Sequence, residues 1–400
     1  MNLNKLTATG ALLVAPFFIS AQPFSYDKFG KGIKIESADS ASVIKVSARI
    51  QNLFIYETPV TPGGSYKVNA MTRRARLKFD GYTLKKKVEY KIELGLSNRD
   101  ISSSSELNRA SGAPRIIYDA VVKYRIAKNT SLWFGQTKLP GNRERVISSQ
   151  KLQFVDRSLV NSEFNIDRDF GFQLRNKFSL GKMVVKPILA ISTGEGRNIT
   201  SSNVGGYDYT GRVEFLPFGE FTNKGDYFSS DLEREKTPKL SLGLTYDYNE
   251  RAVRQSGQLG RYLIDTSGNF MESDLTTFFG DLMFKYNGFS ILAEAAYRNT
   301  NHPTYVDANG NSHNTGFGYT VQAGYLLPSN YEFAGRYTRV SPIAGMASSF
   351  VNTEQYTLGV SKYIYGHDLK VQTDLTYERE GYGTFANENL IFRLQTELSF

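Results

Sequence analysis

Five basic residues follow one another closely in a stretch that lacks sustained hydrophobic periodicity. They are Lys138, Arg143, Arg145, Lys151 and Arg157. A guanidinium group binds two oxygens of a phosphate-like anion at once, whereas an ammonium group acts as a mobile point charge. The same stretch contains Glu144 and Asp156, which can neutralise their neighbours. As a group, the five cations indicate a site that attracts small oxyanions.

Further cations recur at alternate positions of segments that look extended. They are Lys45, Arg49, Arg74, Arg76, Lys78, Lys87, Lys91, Lys123, Arg125, Arg175 and Lys177. Because an extended chain sends successive side chains to opposite faces, these residues share the polar faces of their segments. Facing a water-filled tube, they would concentrate anions, as the formal net charge of +9 also favours. Glu89, Glu93 and Asp119 share those faces, so cross-strand pairing is an equal alternative for any single cation.

Residues for catalysis, metal binding or nucleic-acid recognition are not arranged in any usual motif. The chain has no cysteine, and His302, His313 and His367 have neither metal-ligand spacing nor the company of a nucleophile. We therefore expect no enzyme activity and no cofactor. The basic pair Arg73-Arg74 should send its side chains to different faces, and Lys85-Lys86 should meet lipid head groups or solvent at a turn. No nucleic-acid partner is expected.

The elements that must position these cations alternate apolar and polar residues. In the last segment, 390–400, Leu390, Phe392, Leu394 and Phe400 share one face, opposite polar residues. About sixteen such segments follow one another, each near the length of a tilted membrane-spanning strand. An open sheet edge in lipid would leave backbone groups unpaired. The pattern thus predicts an all-β fold, a transmembrane antiparallel β-barrel of about 16 strands, over 43–400. A soluble sandwich or propeller is disfavoured because no blade-length repeat is present.

The first residues have the order of a secretory signal peptide. Lys5 precedes an apolar stretch, and Ile19-Ser20-Ala21 ends it, so we expect cleavage before Gln22. Residues 1–21 are predicted to be the signal peptide and 22–42 a periplasmic lead-in to the barrel.

The connections alternate between short and long, as in barrels with tight periplasmic turns and longer outer loops. The long loop near 138–167 is expected to fold into the lumen, with Phe154, Leu159 and Val160 packed on the wall. An exposed surface loop is the alternative. The connection 217–238 should be a short turn but is long and charged, so it either covers the periplasmic mouth or contains unrecognised strands.

Several runs resemble the phosphate-selective porin O and P family. They are GQTKLPGNRERVISSQKLQFVDRSLV (135–160), RDFGFQL (168–174), GIKIES (32–37), SARIQ (47–51) and GDYFSSDLEREKTPKLSLGLTYDYN (225–249). The resemblance implies a sixteen-stranded porin in the outer membrane of a Gram-negative bacterium, usually a homotrimer, that conducts small anions through a basic lumen. The trimer rests on this resemblance alone.

Together, these patterns predict a passive channel for small anions, phosphate or related oxyanions first. The alternatives are a general diffusion porin with a weak anion bias and a non-conducting adhesion or assembly barrel. The expected partners are small anions, outer-membrane lipid and the barrel-assembly machinery, through the C-terminal strand that ends at Phe400. The candidate anion-binding residues are Arg49, Arg74, Arg76, Lys78, Lys123, Arg125, Lys138, Arg143, Arg145, Lys151, Arg157 and Arg175.

Overall fold

The computed structural model describes residues 24–25, 28–61, 64–101, 115–381 and 386–400. The predicted signal peptide, 1–21, lies outside the described residues. Within these ranges, no helix has both the length and the apolar character needed to cross a membrane.

Sixteen antiparallel strands form a closed ring, which confirms the predicted barrel. Two short strands, β1 (Phe24–Ser25) and β2 (Ile33–Glu36), precede it. The first spanning strands are β3 (Val43–Pro59), β4 (Lys67–Thr83), β5 (Val88–Gly95), β6 (Ile117–Ala127), β7 (Thr130–Lys138), β8 (Arg168–Asn176) with its continuation β9 (Phe178–Leu180), β10 (Met183–Ser192) and β11 (Asp208–Leu216). The others are β12 (Lys239–Ala252), β13 (Ser273–Tyr286), β14 (Phe289–Thr300), β15 (Gly316–Leu326), β16 (Tyr331–Pro342), β17 (Thr353–Tyr365), β18 (Leu369–Glu380) and β19 (Asn387–Ser399). Closure comes from β19, which pairs with β3.

The alternation of side chains places the apolar face outside. On β19, Leu390, Phe392 and Leu394 are exposed on the outer surface, whereas Arg393 and Gln395 are buried inside the ring. The outward groups can therefore meet lipid, while every strand pairs its backbone with two neighbours. One end of the barrel carries the tight turns and is called the short-turn end; the opposite end is called the long-loop end.

The long connection between β7 and β8 is folded into the lumen, as predicted. It contains the helices α2 (Arg143–Val146) and α3 (Leu159–Phe164), which follow α1 (Asn98–Ile101) in the chain, and a 3₁₀ turn at Ser149–Lys151. Phe154 and Val160 are buried, and Leu159 packs against the cluster formed by Val160, Phe164 and residues of the barrel wall. We call 139–167 the constriction loop.

The connection 217–238 contains no strand and contacts the inside of the barrel at the short-turn end. The Lys285 ammonium on β13 donates to the carbonyl oxygens of Gly225 (2.8 Å) and Ser230 (2.6 Å). Ser229 N–H donates to the Lys151 carbonyl at 3.0 Å, so this connection also contacts the constriction loop. Of the two expectations for 217–238, the unrecognised strands are wrong. That the segment covers the periplasmic mouth remains a prediction, with which its contacts at the short-turn end agree.

The described part of the N-terminal lead-in lies against the same end of the barrel. Strand β2 pairs with the first residues of β3. The Lys31 ammonium lies 2.7 Å from the Asp368 carboxylate, in the turn between β17 and β18. That this end faces the periplasm remains a prediction.

Candidate functional site

A cavity of about 410 Å³ lies between the constriction loop and the wall formed by β4 to β8. We call it the central cavity. Its basic lining residues are Arg73, Arg74, Arg76, Lys91, Lys123, Lys138, Arg145, Arg157, Arg168 and Arg175. Its acidic lining residues are Glu93, Asp100 and Asp119. Cations therefore outnumber carboxylates by a wide margin where the lumen is narrowed.

Carboxylates hold many of these cations on the wall. Lys91 places its ammonium 2.6 Å from Asp119 and 2.7 Å from Glu93. Arg76 contacts Glu93 at 2.9 Å, and Arg168 contacts Asp119 at 3.0 Å. Two of these pairs, Arg76 with Glu93 and Lys91 with Asp119, join neighbouring strands, so cross-strand pairing occurs at two of the predicted positions.

Arg73 and Arg74 both reach the same carboxylate of the constriction loop. Arg73 lies 3.0 Å and Arg74 lies 3.8 Å from Asp156. The prediction that alternation separates them is wrong because a bulge interrupts the pairing of β3 with β4: Gln51 is opposite Arg74, but Asn52 is opposite Thr72. The extra residue in a bulge breaks the two-residue period.

Four cavity cations lack a carboxylate partner within ion-pair distance among the described residues. They are Lys123, Lys138, Arg157 and Arg175. All four are among the candidates predicted from the sequence. Among the cavity cations, these four are therefore the ones whose charge no adjacent carboxylate offsets in the described structure.

Backbone carbonyls of the constriction loop position two of these four cations. Lys138 donates to the carbonyl of Arg145 at 2.7 Å, and Arg157 donates to those of Glu144 (2.8 Å) and Ile147 (2.7 Å). These contacts use part of the donor capacity of each side chain and bring no carboxylate beside it. Arg145 is held differently, because its Nε donates to Asp167 at 2.7 Å.

A second cavity, of about 930 Å³, lies nearer the short-turn end and is lined by Arg49, Arg76, Lys78 and Lys151 of the predicted set; Arg76 lines both cavities. We call it the lower cavity. Arg49 donates to Ser149 Oγ at 2.9 Å, and Lys78 pairs with Asp80 at 2.9 Å. Burial of Lys151, together with repulsion from Lys31 and Lys78, lowers its pKa to about 8. Lys151 therefore changes charge at a mildly alkaline pH.

Arg143 does not line either cavity, contrary to the prediction. It is fully buried; its Nε lies 2.6 Å from Asp281, and its Nη2 lies 3.4 Å from Glu214. Arg212 joins the same two carboxylates at 2.6 and 2.9 Å. We call these four residues the anchor network. It ties the constriction loop to the wall at β11 and β13, because a buried charge is tolerated only with such partners.

Arg125 also lies away from the two cavities. It is exposed near the turn after β6 and pairs with Glu89 at 3.3 Å. The sequence pattern placed it on the polar face of β6 but did not indicate how near that face is to the end of the strand.

The candidate set predicted from the sequence omitted Arg73, Arg168 and Trp133, which line the central cavity. Arg73 was missed because the bulge in β4 interrupts the strict alternation from which the faces were assigned. Arg168 begins β8, where the sequence pattern was too short to assign a face. For Trp133 a signal was present: it lies between Leu132 and Phe134, which face outward, so alternation alone directs the only tryptophan of the chain into the lumen.

Among the described ranges, no group of three or more His, Asp or Glu side chains is arranged to hold a metal ion. The chemistry offered by the two cavities is instead that of fixed positive charge in a narrow passage.

The closed barrel of sixteen strands with a loop folded into its lumen defines the class of outer-membrane porins. The sequence model of the family described as phosphate-selective porin O and P matches residues 45–391. The chain therefore belongs to that family, and it is located in the outer membrane of a Gram-negative bacterium.

Solved structures with the same fold are distant in sequence. An anion-selective porin from Comamonas acidovorans is 11% identical, with a TM-score of 0.58 over 90% of this chain and 100% of that one. The outer membrane channel DcaP of Acinetobacter baumannii is 16% identical, with a TM-score of 0.53 over 92% and 99%. The trimer form of OmpT from Vibrio cholerae is 11% identical, with a TM-score of 0.51 over 89% and 99%. Together with the family match, these structures indicate a channel rather than an enzyme.

Proposed function

We propose that this porin is a passive, anion-selective channel whose central cavity is the selectivity filter for phosphate or related small oxyanions. One observation carries the proposal: four cations without a carboxylate partner among the described residues lie together where the constriction loop narrows the lumen. A low-dielectric wall strengthens their field, which raises the local concentration of anions and excludes cations.

Phosphate suits this lining because guanidinium and ammonium groups both donate hydrogen bonds to its oxygens. Arg157 and Arg175 supply forked donors, and Lys123 and Lys138 supply point charges. The paired cations Arg76, Lys91 and Arg168 are already engaged by carboxylates, so they would contribute mainly to the shape and rigidity of the passage. The family match and the anion-selective porin of similar fold agree with this assignment.

The test is the zero-current potential of the refolded protein in a planar bilayer under a KCl gradient, followed by titration with phosphate. We expect a potential of the sign for anion preference and a chloride current that phosphate blocks. Open channels with a potential near zero would contradict selectivity. The absence of channels would contradict conduction and favour an adhesion or assembly barrel.

A general diffusion porin with weak anion bias is the second candidate. It is favoured by the ion pairs that Asp156, Asp167, Glu93, Asp100 and Asp119 form with other cavity cations. The two candidates differ in the phosphate titration, because weak bias without a binding site predicts an anion-selective current that phosphate does not block.

We also propose that the chain is exported by a signal peptide at 1–21, is inserted by the barrel-assembly machinery through the strand ending at Phe400, and forms a homotrimer. N-terminal sequencing of the membrane protein should begin at Gln22. Deletion of Phe400 should reduce the amount of folded barrel, and native mass spectrometry should give three times the mass of one mature chain. The trimer form of the OmpT structure supports the last of these proposals.

A further inference from the structure

We infer that Trp133 positions Lys123 and Arg175 as un-neutralised cations and so creates an anion-binding station within the central cavity. This inference rests on the proposed function and assigns its strongest binding step to one part of the cavity. The Trp133 indole holds these two cations in place, as carboxylates do for the neighbouring cations of the cavity.

The first observation is the contact geometry around the ring. The Lys123 ammonium lies 4.0 Å and the Arg175 guanidinium carbon lies 4.1 Å from the centroid of the Trp133 ring. Lys123 belongs to β6 and Arg175 to β8, the two strands that pair with β7 on either side, so the two cations reach the Trp133 ring from opposite neighbours. Each cation is attracted by the negative face of the indole, which carries no net charge.

The second observation is how little else holds these two side chains. Arg175 donates to Gln173 Oε1 at 2.7 and 3.1 Å, and in the described part of the chain neither cation has a carboxylate within 4 Å. Trp133 itself is fixed, because its Nε1–H donates to Ser131 Oγ at 3.0 Å. The wall thus presents two ordered positive charges and a rigid ring between them.

A carboxylate is nevertheless close to Lys123 along the sheet. Glu89 on β5 is directly opposite Lys123 on β6, a register in which oppositely charged side chains usually pair. Instead, Glu89 pairs with Arg125 at 3.3 Å, and Lys123 lies on the indole. Trp133 and Arg125 together therefore keep Lys123 and Glu89 apart, which preserves the charge of Lys123 for an anion.

The station fits an anion that carries several acceptor oxygens and is small enough to enter a cavity of about 410 Å³. Each cation would contact such an anion with the side that faces away from the indole, because the indole covers its other side. Partial removal of water from each cation by the ring strengthens its attraction for the anion without adding a competing negative charge.

The experiment compares Trp133→Leu with Trp133→Phe and the unaltered protein in planar bilayers. Leucine fills space but has no ring, whereas phenylalanine retains a weaker cation–π partner. We expect the phosphate concentration for half-block to rise about three- to tenfold in Trp133→Leu and to return most of the way in Trp133→Phe. Adding Glu89→Gln to Trp133→Leu should also restore block, because it removes the carboxylate that Lys123 would otherwise meet.

Tyr118→Leu is the matched comparison. Its ring lies 4.0 Å from the Arg76 guanidinium carbon, but Arg76 is also held by Glu93 and Asp100, so its loss should raise the half-block concentration less. Equal half-block for Trp133→Leu and the unaltered protein would overturn the inference. If the unaltered protein is not blocked by phosphate at all, the proposed function itself fails, and the two failures are thereby distinguished.

Intrinsic fluorescence gives an independent readout, since Trp133 is the only tryptophan. Phosphate drawing a cation away from the ring should change its emission, with the same half-saturation as the block of current. Emission that does not respond to blocking concentrations of phosphate would also overturn the inference. Sodium chloride of equal ionic strength controls for screening.

Discussion

The anchor network and the central cavity contain the same types of residue but differ in burial and in the ratio of cations to carboxylates. In the anchor network, Arg143 and Arg212 meet Asp281 and Glu214, and all four are buried. The central cavity is lined by ten basic side chains and three acidic ones; four of the ten pair with Asp156 or Asp167 of the constriction loop, and four others have no carboxylate partner among the described residues. Arg143 and Arg145, two residues apart, belong to these two different regions. Residue type alone therefore does not distinguish the two regions; burial and the number of adjacent carboxylates do.

The largest expected effect comes from breaking the anchor network with Arg143→Leu. It leaves Asp281 and Glu214 with one cation fewer in a buried site, which should lower the free energy of unfolding by about 3–5 kcal/mol. Urea titration of the protein in lipid vesicles measures this loss. The freed loop should also raise single-channel conductance. Arg251→Gln is the control, because this exposed arginine pairs only loosely with Glu272 at 3.6 Å and should change stability by less than about 0.5 kcal/mol.

A smaller effect on stability but a large one on selectivity is expected from Lys123→Gln with Arg175→Gln. The double variant removes two cations that lack carboxylate partners in the described structure, so the anion-to-cation permeability ratio should fall several-fold while the barrel stays folded. The charge-balanced variant Arg76→Gln with Glu93→Gln keeps the cavity charge constant and should change the ratio much less. Equal changes in the two double variants would contradict the distinction between paired and unpaired cations.

The smallest expected effect is the pH dependence due to Lys151 in the lower cavity. Since burial lowers the pKa of this lysine to about 8, its charge is present at pH 7 and is mostly lost at pH 9. Anion preference should therefore decline modestly between these values. Lys151→Arg should abolish the decline, because a guanidinium stays protonated throughout this range. Reversal potentials measured at both pH values decide the matter, and an undiminished decline in Lys151→Arg would assign it to another group.

The strands were predictable because lipid imposes a local rule on every residue of a barrel wall. Leu390, Phe392 and Leu394 face outward whatever the rest of the chain does, so the sequence of a single strand is enough to identify them. The inward fold of the constriction loop was also predictable, from its position, its length and the apolar residues Phe154 and Val160.

Local sequence did not predict which loop arginines line the central cavity and which are buried in ion pairs. The carboxylates that pair with the buried Arg143 belong to Glu214 and Asp281, which lie far along the chain. Nothing in the sequence near Arg143 identifies them as its partners. Trp133 was accessible to the same alternation argument that located the strands, but its contacts with Lys123 and Arg175 depend on the rotamers of those two side chains. The alternation along a strand gives the direction of a side chain, whereas the residue that this side chain contacts depends on how the whole barrel closes.

The bulge in β4 has an evolutionary consequence. Half of the positions in a spanning strand are committed to lipid, so substitution can add a cation to the lumen only at the other half. One extra residue in β4 lets both Arg73 and Arg74 contact Asp156 of the constriction loop. A single-codon insertion or deletion in such a strand therefore changes which residues face the lumen, and with them the lumenal charge, while the barrel keeps its number of strands.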